Sequence, residues 1–145
     1  MLQQRQIEPE QGAMTVVRGH DLVERILVVE DDREIATMMR ELLEEDGYLV
    51  EVVYSLSEAA DEVRREQYSL VVRDTMAQTA DGFRQNIDPL LDLAVRPPVV
   101  ITSAHGIADE DVEVRGYDGL IRKPFDIEEF SRQIAAHLRS ARAIR

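Results

Sequence analysis

Four consecutive aliphatic residues, Ile26-Leu27-Val28-Val29, run without a break into three carboxylates, Glu30-Asp31-Asp32. No other stretch limits the fold of this chain so tightly. Such a run is too short for a buried helix and suits a strand covered on both faces, as in a parallel sheet. In an open α/β sheet, ligands bind beyond the carboxyl ends of the strands, so acids at this position would stand in a site. Three adjacent negative charges repel one another and call for a cation. They are equally the composition of a helix start, where Asp caps the backbone and acids suit the first turn.

The pattern of a short apolar run followed by a helical stripe then repeats. Ile35, Met38, Met39, Leu42 and Leu43 recur at intervals of three and four, a stripe that Asp46-Gly47 ends. Tyr48 to Tyr54 is apolar and β-branched, and Ser55-Leu56-Ser57-Glu58 has capping-box spacing before a helix through Ala59, Ala60 and Val63. Leu70-Val71-Val72 is a third strand ending at Asp74. Asp81-Gly82 turns into a loosely helical segment from Phe83 to Leu93, stopped by Pro97-Pro98. Val99-Val100-Ile101 ends in Thr102-Ser103, a weakly periodic stretch covers Ile107 to Tyr117, and Leu120-Ile121 ends in Lys123-Pro124. Ile127, Phe130, Ile134, Leu138 and Ala141 make the stripe of a last helix. Strands alternating with helices at this spacing predict βαβ units: a doubly wound, five-stranded parallel sheet with helices on both faces and a short or irregular fourth helix. Residues 1–23, rich in Gln and poor in periodicity, are expected to be a mobile arm, and residues 24–145 the single folded domain.

Composition narrows the function classes. A net charge of -12 argues against nucleic acid or an anionic membrane as partner, because phosphate neutralisation needs a surplus of Lys and Arg. The absence of Cys removes disulfides, thiolate metal sites and thiol nucleophiles together. No stretch approaches about 18 apolar residues and the polar start carries no signal-peptide core, so a cytoplasmic protein is expected.

The strand ends are more informative together than singly. They offer Glu30 and Asp31, then Asp74, then Ser103, then Lys123. Each alone is as well explained by a cap, a turn or a solvated side chain. Jointly they make a set of hard oxygen ligands with a hydroxyl and an ammonium opposite. That set suits Mg²⁺, which keeps several waters and prefers a phosphate as a further ligand. No His stands among these positions, so zinc is not expected.

Here the chain resembles a response-regulator receiver domain of two-component signalling, of the single-domain, CheY-like type with a flavodoxin-like fold. The resemblance rests on Ile26 to Asp32, Leu70-Val71-Val72-Arg73-Asp74, Asp81-Gly82, Thr102-Ser103-Ala104 and Lys123-Pro124-Phe125, and it covers about residues 24 to 142. Asp74 also precedes Asp81 by the family's seven residues. The resemblance implies that Asp74 accepts a phosphoryl group from a histidine kinase or phosphotransfer protein. Asp31 would bind Mg²⁺ directly, Glu30 largely through water, and Met76 by its backbone carbonyl, with Asp74 as a further ligand. Ser103 and Lys123 would pair with phosphoryl oxygens, and the Lys123-Pro124 bond would be cis. Such a domain is a signalling module rather than an enzyme. It acts on an unknown downstream protein and in some cases as a homodimer. Little follows the last helix, so no output domain is expected in this chain.

Departures from the family pattern mark where the switch would differ. Ala77-Gln78 replaces the usual Met-Pro, Leu120 replaces an aromatic three residues before the lysine with Tyr117 out of register, and the Ser103–Lys123 interval is about two residues short. Met76 and His105 would flank the approach of hydrolytic water to Asp74. Two other readings compete. A pseudo-receiver scaffold would keep the fold without phosphorylation. A flavodoxin-like cofactor binder would need a Gly- or Ser/Thr-rich first loop, which is missing, and the acids there would repel its phosphate.

Overall fold

The computed structural model describes residues 16–18, 21–77, 79–85, 87–103, 107–123 and 126–144. Within the stretch read as an arm, β1 (Val16–Arg18) and β2 (Asp21–Val23) pair antiparallel, with Val16 opposite Val23. The apolar pair Val16-Val17 is part of this ribbon rather than of a featureless tail. The rest follows in strict alternation: β3 (Arg25–Val29), α1 (Arg33–Glu45), β4 (Leu49–Val53), α2 (Leu56–Arg65), β5 (Leu70–Asp74), α3 (Ala80–Gln85), β6 (Val99–Ser103), α4 (Asp109–Val114), β7 (Gly119–Arg122) and α5 (Ile127–Ile144).

The five later strands form one sheet in the order β4-β3-β5-β6-β7, every pair parallel. Strand side chains alternate between its faces, and each face has its own core. Ile26, Val28, Leu70, Val72, Val100 and Ile121 meet Met39 and Leu43 of α1 and Phe130, Ile134 and Leu138 of α5. Leu27, Val29, Val71, Val99 and Ile101 meet Ala59 of α2, Phe83 of α3, Val112 of α4, and Leu90, Ile107 and Tyr117 of the connecting segments. The helix ends follow local chemistry. Ser55 Oγ accepts from the Glu58 amide at 3.2 Å, as the capping spacing requires. Gly47, at φ +95°, takes the left-handed turn after α1 that a Cβ would penalise.

One element differs in extent from the sequence reading. The helix expected loosely from Phe83 to Leu93 is a six-residue α3 that ends at Gln85, and the chain continues through turns. Asp88 causes part of this, since its Oδ1 accepts from the Leu90 amide at 2.9 Å and caps a turn. The fourth helix is short, as expected. It has no side-chain cap at Ala108, though Asp109, Glu110 and Asp111 suit its N-terminus. No described helix is long and apolar enough to cross a membrane.

Candidate functional site

Sheet order runs outward in both directions from β3, so the carboxyl ends of β3 and β5 border the topological switch point. Glu30 and Asp31 follow β3, Asp74 ends β5, Ser103 ends β6 and Lys123 follows β7. The Lys123 amide donates to the Ser103 carbonyl at 2.7 Å, which fastens the end of β7 to that of β6. From there Lys123 Nζ reaches Asp74 Oδ1 at 2.7 Å and Glu30 Oε1 at 3.4 Å. One carboxylate oxygen each from Glu30, Asp31 and Asp74 lie within 4.8 Å of one another, and no other such acid, His or Cys cluster occurs among the described residues. Glu30 and Ser103 are buried, Asp74 and Lys123 are half-buried, and Asp31 is exposed.

The acid run divides by role. Asp32 is the cap of α1, its Oδ1 accepting from the amides of Glu34 and Ile35 at 3.0 and 3.1 Å. Glu30 and Asp31 are left for the site. The helix-cap reading of the triplet thus holds for Asp32, while Glu30 and Asp31 lie with Asp74 at the strand ends. Glu30 Oε2 accepts from the Asp32 amide at 3.1 Å, so the start of α1 also orients the buried carboxylate.

Like charges crowd together in the site. Burial pushes the Glu30 carboxyl above its usual range, and the neighbouring Asp74 charge adds to this against the pull of the Asp32 amide and Lys123. Burial alone would lower Lys123, but the hydrogen bond and charge of Asp74, followed by Glu30, carry it above its ordinary value. An all-oxygen donor set with excess negative charge fits a hard dication such as Mg²⁺.

Met76 has φ +54°, a left-handed conformation that costs a residue with a Cβ about 1–2 kcal/mol. Its amide donates to Asp74 Oδ2 at 2.8 Å, so one Asp74 oxygen is held by backbone and the other by Lys123. The Met76 side chain packs half-buried against the α2–α4 core. Leu120, at the position where the sequence pattern has an aromatic, packs against the same core. His105 and the Lys123-Pro124 bond lie outside the described residues.

Sequence reasoning passed over a second polar group beneath this one. Arg73, the residue before Asp74, is fully buried; its Nε donates to Asp88 Oδ2 at 2.8 Å and its Nη1 to the Asp74 carbonyl at 2.6 Å. The Tyr117 hydroxyl donates to the same Asp88 oxygen. The signal was a charged residue inside an aliphatic strand, since Leu70-Val71-Val72 continues through Arg73 rather than stopping before it.

A five-stranded parallel sheet in this order, covered by helices on both faces, with acids at the switch point, defines a receiver of the flavodoxin-like class. The chain belongs to the response regulator receiver domain family, whose family model matches residues 26–135. The transcriptional regulatory protein SpaR of Bacillus subtilis is 30% identical over 124 residues, covering 81% of this chain and 53% of that protein. Response regulator MprA of Mycobacterium avium is 33% identical over 119 residues, covering 79% and 51%. The solved receiver domain of a putative LuxO repressor protein from Vibrio parahaemolyticus shares the fold at a TM-score of 0.70 and 21% identity, over 84% of this chain and 95% of that one. The chain thus spans about half the length of the curated relatives it matches. As a receiver it is a module of two-component signalling rather than an enzyme in the ordinary sense.

Proposed function

We propose that this receiver takes a phosphoryl group from a phosphohistidine, on a histidine kinase or phosphotransfer protein, onto the Asp74 carboxylate. The observation that carries the reading is Lys123 Nζ at 2.7 Å from Asp74 Oδ1, beside the Glu30–Asp31–Asp74 cluster. A carboxylate approaching a phosphoryl group of like charge needs cations around it. Glu30, Asp31, Asp74 and the Met76 carbonyl would hold Mg²⁺, Glu30 largely through water. When bound, Mg²⁺ offsets negative charge on the phosphoryl oxygens as they pass through the transition state.

The protein's own groups do the rest. The Met76 amide and Lys123 fix both Asp74 oxygens, so the nucleophile meets the phosphorus already oriented. An Asp74 oxygen forms the O–P bond as the donor's N–P bond breaks. The imidazole nitrogen keeps that electron pair and takes a proton from solvent. Lys123 then pairs with a phosphoryl oxygen and Ser103 donates its hydroxyl to another. The acyl phosphate so formed would alter contacts with a downstream protein. The cell compartment in keeping with this is the cytoplasm.

Mass spectrometry after incubation with Mg²⁺ and acetyl phosphate tests the reading. One added phosphoryl group on Asp74, absent without Mg²⁺ and in Asp74→Asn, is expected. An unlabelled wild-type chain would favour the scaffold alternative, and persistent labelling of Asp74→Asn would move the acceptor elsewhere.

A further inference from the structure

We infer that Arg73 is a positioning residue for the phosphoacceptor, and that Asp88 and Tyr117 form with it a polar tie between Asp74 and the turn joining α4 to β7. The inference rests on the proposed acceptor role of Asp74 and extends it to residues outside the site.

The geometry is specific. Arg73 and Asp88 have fully buried side chains and meet at 2.8 Å, across fifteen positions of sequence. Asp88 is held from three directions: Oδ2 by Arg73 Nε and the Tyr117 hydroxyl, Oδ1 by the Leu90 amide. The guanidinium carbon lies 5.5 Å from the Tyr117 ring centre and 5.9 Å from that of Phe83, within range of a cation–π contact. What this assembly holds at its far end is the carbonyl of Asp74, 2.6 Å from Nη1.

Stability does not account for such a group. A buried ion pair often gains no more than well-packed apolar side chains of like volume, because desolvation offsets its attraction. Here Nη2 is also buried with no hydrogen-bond partner among the described residues. An aliphatic residue would continue the run of Leu70, Val71 and Val72 without that cost. The feature an aliphatic residue cannot supply is the grip on the Asp74 carbonyl. That grip fixes the peptide plane from which the Asp74 side chain rises, and with it the direction of the nucleophile. The tie also works in reverse. A shift of the Asp74 backbone on accepting a phosphoryl group passes through Arg73 to Asp88 and Tyr117, whose backbone amide is bonded to the Val112 carbonyl of α4.

The test uses the whole chain with two readouts. In ¹⁵N–¹H spectra the buried Arg73 Nε–H, assigned by its loss in Arg73→Lys, is expected to shift when Mg²⁺ and beryllofluoride are added. It stays fixed in Asp74→Asn. Separately, at saturating Mg²⁺, Tyr117→Phe slows phosphorylation by acetyl phosphate about threefold or more, and Arg73→Lys about tenfold, the scale of a sub-ångström to one-ångström misplacement. Tyr117→Phe removes one oxygen and decides the matter if Arg73→Lys does not fold. A stationary Nε–H signal, or rates within twofold of wild type, overturns the inference while Asp74 remains the acceptor. A wild-type chain that takes up neither phosphoryl group nor beryllofluoride overturns the acceptor reading, and this inference with it.

Discussion

Asp74 is restrained by unlike groups, a side-chain ammonium on one oxygen and a backbone amide on the other. Replacing the ammonium's share by a phosphoryl oxygen leaves the amide in place, so the residue can change partners without losing its direction. Asp31 contributes differently. It is exposed and belongs to the Glu30–Asp31–Asp74 cluster, and on the proposed function its part is to hold the cation. Asp31→Asn is expected to keep the melting temperature in chelator but to weaken Mg²⁺ by at least about tenfold, as loss of even an outer-shell ligand partner does. A Mg²⁺ titration followed by thermal shift reads both quantities, because a cation bound only by the folded state raises its stability. Met76 belongs to this scale too. Its side chain is bulky and apolar and offers water no useful hydrogen bond. Met76→Asn, a residue more at ease at φ +54°, is expected to shorten the life of the phosphorylated protein. An unchanged decay rate would take Met76 out of the hydrolysis step.

At the scale of elements, the contact of β7 with α5 is closely fitted at Gly119. Gly119 begins β7, and a Cβ there would collide with the imidazole of His137 on α5. Gly119→Ala is expected to cost about 1–3 kcal/mol, the usual scale of overpacking, and Gly119→Ala/His137→Ala to recover much of it. Denaturant unfolding of the single and double variants checks this. Burial also lowers the His137 pKa below its ordinary 6.5. The folded state therefore binds this proton less readily than the unfolded chain. The contribution of this group to stability is full above pH 6.5 and falls as pH drops through it toward the lower folded value. A His137→Gln variant should flatten that part of the pH profile, as seen by urea midpoints between pH 7 and 5.

What could be read from the chain itself also sorts by element. Three of the sheet strands, β3, β5 and β6, were legible because aliphatic runs of three or four mark a buried strand, β4 and β7 because shorter β-branched or aliphatic stretches recur at the same spacing, and α1 and α5 because their stripes persist over several turns. The site was legible because its members, Glu30, Asp31, Asp74, Ser103 and Lys123, all fall within two positions of the ends of those runs. Lys123 meets Glu30 across 93 positions, yet the strand ends alone predicted the meeting. The Arg73 group was not legible by that route. Asp88 and Tyr117 stand in turns, where an acid or a phenol carries no periodic signal, and their partner is distant in sequence. The β1–β2 pair escaped for a similar reason, since three-residue strands are too short to show alternation.

Across the whole molecule the sheet separates two cores of unequal construction. One is closed by helices of 13 and 18 residues, the other by helices of 10, 6 and 6 with turns between them. Amides of α4 and of residues 107–119 are expected to exchange by local opening, while those of α1, α5 and β3 exchange only on global unfolding. Native-state hydrogen exchange distinguishes this from uniform protection, and slower exchange in α4 upon phosphorylation would show that the site orders that side. The long helices are expected to make the stiffer wall and the short ones the more compliant, and Asp74, the acceptor on the proposed function, stands at the carboxyl edge of the sheet between them. Stress applied at that edge would then be taken up mainly on one side, which would give a symmetric-looking sheet a direction in which to yield.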